Sequence, residues 1–118
     1  ERVQAFEPHC RVTGVDRAEH LRASHCKPWR DCDSHEERLD ADNGLMLTPS
    51  IDHLFDRGFI SFEDGGRLLL SPNAHRDSLQ RMGLVVDRKF DVGPFRTGQR
   101  RYLEYHRDMV FLKANVRA

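Results

Sequence analysis

Apolar residues fall in short runs along the whole chain, and the spacing inside each run predicts a different element. From Thr48 to Gly58 the apolar positions Ile51, Leu54 and Phe55 share one helical face. Thr48 stands as the N-cap, Pro49 takes the first helical position and Gly58 is the natural stop. The runs FISFE (59–63) and RLLLS (67–71) flank Asp64-Gly65-Gly66, which predicts a β-hairpin. Upstream, 18–27 is expected to run as a strand into Pro28, and Asn43 to Leu47 turns and becomes apolar as its partner. Residues 30–42 are charged and are expected to form a loop. Residues 1–7 are expected to be helical, Thr13-Gly14 a turn, and Asn73 to Met82 a short helix ending at Gly83. Beyond it, 84–96 is irregular with a strand at 84–86. A longer helix over 98–114 carries Tyr102, Tyr105, Met109 and Leu112 on one stripe. The order is strand pair, loop, helix, hairpin, helix, helix: an α+β domain spanning 1–118.

Composition narrows the class. The 118 residues are 38% hydrophobic and 32% charged, enough for one modest core, and no apolar run approaches the ~18 residues of a membrane span. Formal net charge is zero, which argues against plain electrostatic binding of nucleic acid. The charge is nevertheless segregated. Residues 31–64 hold ten Asp or Glu against Arg38 and Arg57, while 11–30 and 98–118 are basic. An acidic middle between basic ends makes sense if a cation sits there and bridges to phosphate. The three cysteines, Cys10, Cys26 and Cys32, form no CxxC pair. They are expected to be reduced, partly buried thiols of a cytoplasmic protein, with a zinc site completed by a histidine as the rival. The chain opens on Glu1 and shows no signal peptide, so it is expected to be a fragment of a longer protein whose further domain carries targeting.

Three blocks carry the chemistry: RASHCKPW (22–29), RLDADNGLML (38–47) and TPSIDHLFDRGFISF (48–62). In this order the chain resembles HNH endonucleases, in particular a subgroup with SHxxPW, NGLxL and DxLFDxGxISF motifs. CRVTG (10–14) and YLEYHR (102–107) extend the resemblance over most of the chain. It implies a ββα-metal core, to which the hairpin and C-terminal helices are additions. It also implies that His25 takes the proton from an attacking water, work suited to an imidazole. Asn43 would tie the loop to the strand and orient the histidine, or serve simply as the turn residue before Gly44.

Asp52 and Asp56 are four apart and lie beside the Ile51/Leu54/Phe55 face, with His53 pointing further from the core. The expected metal ligands are Asp52 and Asp56, with His53 as a weaker candidate. The plain alternatives are a helix-dipole role for Asp52, a turn role for Asp56 and a solvated surface for His53. Ser24 stands where many relatives carry a ligand directly before the base. This favours Mg2+ or Mn2+ over Zn2+. Arg38 and Arg57 are candidate phosphate contacts or partners of nearby acids, and Arg100, Arg101 and Arg107 are candidate DNA-backbone contacts, against a solvated helix face. Trp29 is expected to be a packing anchor rather than a base-stacking residue, and His106 to make a core contact or a backbone bond. The reading is a metal-dependent DNA endonuclease from a restriction or modification-dependent defence protein, acting alone or as a homodimer. Its rivals are an inactive DNA-binding or zinc-stabilised scaffold and an acidic interaction module.

Overall fold

A computed structural model describes residues 2–84 and 90–113. Helix α1 (Arg2–Phe6) leads through a turn at 11–13 to a 3-10 turn at Ala18–His20 and strand β1 (Arg22–Ser24). A second 3-10 turn (Trp29–Asp31) and helix α2 (His35–Leu39) precede β2 (Leu45–Leu47) and α3 (Pro49–Asp56). Then come β3 (Ile60–Phe62), β4 (Leu68–Leu70), α4 (Arg76–Arg81) and α5 (Thr97–Tyr105), which widens into a π-turn at His106–Val110.

Among the described residues there are two antiparallel two-stranded sheets. β1 pairs with β2 in the register Arg22↔Leu47 to Ser24↔Leu45, and β3 pairs with β4 from Ile60↔Leu70 to Phe62↔Leu68. All three residues of β2 are buried. Side chains alternate along a strand, so β2 is covered on both faces, with α1 and α3 both packed against it. Helix α3 contributes Ile51, Leu54 and Phe55 to the core, where they meet Leu45, Leu47, Ile60, Phe62, Tyr102 and Leu103. The architecture is mixed α+β, and β1, β2 and α3 together make a ββα unit.

Tight contacts bring the C-terminal part onto this unit. Gly58 has φ 81°, and a Cβ there would run into the Val110 carbonyl oxygen; the Gly58 carbonyl accepts from Leu112 N at 2.8 Å. His106 is buried, stacked on Phe55 at 3.8 Å between ring centroids. Its Nε2 donates to the Phe55 carbonyl at 2.7 Å and its Nδ1 accepts from the Ser61 hydroxyl at 2.7 Å. Burial pushes its pKa down to about 4, against the raising effect of the Phe55 carbonyl. This bears out a structural role for His106. At the other end, buried Glu7 accepts from Arg11 at 2.8 and 2.9 Å and from Gln99 at 3.2 Å, tying the N-terminal segment to α5.

Several expectations need correction. The strand over 18–27 shrinks to 22–24, because Ala18–His20 buries nothing and curls into a 3-10 turn. The charged loop 30–42 contains α2. Ser34 caps it by accepting from Glu37 N at 3.1 Å, the S-x-x-E helix-start spacing that the charged composition masked. The C-terminal helix ends at Val110, and Met109 on its expected stripe is 67% exposed; the buried face is Gln99, Tyr102, Leu103 and His106. Leu84 is in no strand, and the rest of the strand expected at 84–86 lies outside the described residues. Trp29 is not a packing anchor: it is 51% exposed. Among the described residues, no helix is long and apolar enough to cross a membrane.

Candidate active site

Strand β1 ends at Ser24, and His25 follows at the rim of a groove of about 420 Å³. Ser24, His25, Trp29 and Arg30 line one part of this groove, and Asp52 and Asp56 from α3 line another. Packing of α3 against β1 and β2 brings these sequence-distant blocks together. The apolar residues of α3 turn into the core, so its carboxylates, one position further round the helix, are left facing the groove.

The His25 ring is held from one side. Its Nε2 lies 2.9 Å from the Arg38 carbonyl oxygen. A carbonyl only accepts, so Nε2 carries the proton, and in the neutral ring Nδ1 is left with the lone pair. The Trp29 ring meets the imidazole edge-on at 5.8 Å.

Asn43 is 1% exposed, and its amide bonds groups other than the His25 ring. Its Oδ1 accepts from Lys27 N at 2.7 Å, and its Nδ2 donates to the Lys27 carbonyl at 3.1 Å and the Glu37 carbonyl at 3.3 Å. Lys27 is two residues beyond His25, and Glu37 is the residue before Arg38. One amide therefore closes the loop on both sides of the His25–Arg38 hydrogen bond. Lys27 adds an ion pair to Glu37 at 3.0 Å across the same loop. The hydrogen bond that the lysine donates to Glu37 raises its pKa.

Asp52 is half-buried and Asp56 exposed. Among the described residues neither carboxylate has an ion-pair partner, so both oxygen donor sets are open to a hard cation. Carboxylate oxygens are donors of the kind that a hard divalent cation takes. His53 does not join them: it is exposed and lines a separate cleft with Asn73, His75 and Met82. Among the described residues, no three His, Cys, Asp or Glu side chains gather into a group able to hold a metal. That includes Cys10, Cys26 and Cys32, which are buried free thiols. Burial, with the Glu7 carboxylate nearby, pushes the Cys26 thiol far up, and among the described residues the three cysteines form no zinc site with a histidine.

The arginines divide. Arg57 lines a cleft next to the groove, together with Arg30 and Asp56. Arg100 Nε donates to the Phe95 carbonyl at 3.2 Å, and Arg101 pairs with Asp40 at 3.3 Å and Tyr102 Oη at 2.7 Å. Neither of these two lines the groove. Arg30, which does, was missed from sequence. It directly follows Trp29, and nothing in the residue spacing shows which way a 3-10 turn aims it.

Residues 10–63 match the family model described as HNH endonuclease. Over this segment, somewhat under half of its length, the chain is similar to HNH endonucleases. The match takes in β1, β2, α3 and β3, and with them His25, Asn43, Asp52 and Asp56; β4, α4 and α5 lie outside it. No curated protein matches the chain.

Proposed function

We propose that this domain hydrolyses phosphodiester bonds in DNA, with His25 Nδ1 as the general base and Asp52 and Asp56 carrying one divalent ion, Mg2+ or Mn2+. The observation that carries the reading is the shared groove: an imidazole with its Nε2 hydrogen tied back to Arg38 faces the same space as two carboxylates without ion-pair partners. Nδ1 takes a proton from water as the water oxygen attacks phosphorus. The bond from phosphorus to the leaving sugar oxygen breaks, and the proton stays on His25 as an imidazolium, which the Arg38 carbonyl continues to accept from. A divalent ion held by Asp52 and Asp56 would supply charge neutralisation for the reacting phosphate. Arg30 and Arg57 hold flanking phosphates, without reading sequence. Asn43 acts through the loop it closes, as a positioning residue. A setting in restriction or modification-dependent defence rests on analogy with the family alone.

The test is nicking of supercoiled plasmid with Mg2+, with Mn2+ and with chelator. Wild type is expected to cut with either ion and to stop with chelator. A folded His25→Ala variant that cuts at the wild-type rate would remove His25 from the reaction.

A further inference from the structure

Trp29 and Leu39 are 51% and 50% exposed. Single exposed apolar residues need no account, but two that meet across one cleft do. They line a side cleft of about 270 Å³ together with Val3 and Ala23, mostly apolar in its walls. Drug-sized sites run from roughly 300 Å³ upwards, so this one suits a single ring system. His25 and Trp29 line both the side cleft and the groove that holds Asp52 and Asp56. A strand with its phosphate at His25 therefore places a neighbouring nucleoside at the side cleft. Arg38 braces the indole from above, with its guanidinium 5.1 Å from the ring centroid and its Nε donating to the Trp29 carbonyl at 3.2 Å. The cation stands beside the cleft, where a strand's phosphates would pass.

We propose that Trp29 and Leu39 form a nucleobase site beside His25, so that the domain takes a strand unstacked at the cut, as in single-stranded or locally opened DNA. An intact duplex keeps its bases inside the stack and has nothing apolar to offer the cleft. An opened strand does, and aromatic side chains accept any base by its flat face. The inference rests on the nuclease reading for its choice of nucleic acid, but its test needs no turnover.

Trp29 is the only tryptophan, so its fluorescence reports the site alone. The 118-residue chain is titrated, without divalent metal, with a short oligothymidylate and with an abasic strand of equal length. The expected result is quenching by the oligothymidylate and little by the abasic strand. Binding of a labelled oligothymidylate, read by anisotropy, is expected to weaken roughly tenfold in Trp29→Ala and to recover in Trp29→Phe. Equal quenching by the abasic strand, or unchanged binding by Trp29→Ala, overturns the proposal. So does a concentration-dependent Trp29 signal without DNA that follows self-association, since the cleft would then be covered by a second copy. A protein that is quenched as expected yet never cuts would count against the nuclease reading alone.

Discussion

His25 donates from Nε2 to the carbonyl oxygen of Arg38 at 2.9 Å, and this one bond decides which ring nitrogen is available for chemistry. Nitrogen-15 chemical shifts of the neutral ring are expected to show the Nε2–H tautomer. An Nδ1–H tautomer would move the base to the wrong atom. His25→Ala is expected to lower the cleavage rate by at least about a hundredfold. It should cost only about 1 kcal/mol of stability, since a single hydrogen bond is lost. Urea denaturation separates the two effects.

Asn43→Ala removes the amide that bonds Lys27 N, Lys27 O and Glu37 O. Buried groups lose their partners, so a loss of about 2–4 kcal/mol is expected. Activity should also fall at temperatures where the variant is still folded, because the Arg38 carbonyl is no longer held. Full activity in the folded variant would confine Asn43 to a stability role.

Asp52→Asn and Asp56→Asn should each raise the half-saturating Mn2+ concentration by roughly tenfold or more, measured calorimetrically. His53→Ala should leave it unchanged, because His53 faces another cleft. A metal requirement that moves with His53 and not with the carboxylates would relocate the ion.

His106 makes stability pH-dependent. Its folded pKa is about 4, below the ordinary 6.5, so the unfolded chain binds the extra proton between those values. The stabilisation is full above about pH 6.5 and is lost as pH falls towards 4. It amounts to about 3 kcal/mol over that window. Urea midpoints measured across it should slope in wild type and flatten in His106→Gln.

Gly58→Ala should destabilise the fold by more than the about 1–2 kcal/mol of a left-handed backbone alone, because its Cβ also meets the Val110 carbonyl oxygen. Thermal denaturation reads this directly, and a neutral result would mean that the contact between α3 and the C-terminal turn gives way easily.

Much of the ββα unit was legible in the sequence. Thr48-Pro49, the Ile51/Leu54/Phe55 face and the Asp64-Gly65-Gly66 turn are local signals, and each produces the element expected of it. Helix α2 was legible in principle through Ser34 and Glu37, but thirteen mostly polar positions read as loop when composition is weighed above capping. The three motif blocks carry the resemblance to HNH endonucleases, which the family match over 10–63 shares, and the helical angle alone separated Asp52 and Asp56 from His53. What no local signal carried was the direction of the short turns: where Arg30 points, and that Arg100 bonds the Phe95 carbonyl and Arg101 bonds Asp40.

By itself the sequence determined the helix that presents two carboxylates, the hairpin behind it and the residue types around His25, because periodicity, caps and turns act within a few residues. Only the tertiary structure decided that Asn43 clamps Lys27 and Glu37 rather than the imidazole, and that Trp29 stays in solvent. Burial is a property of what packs over a side chain, and Trp29, with Arg38 and the edge of His25 against its ring, is left half-exposed.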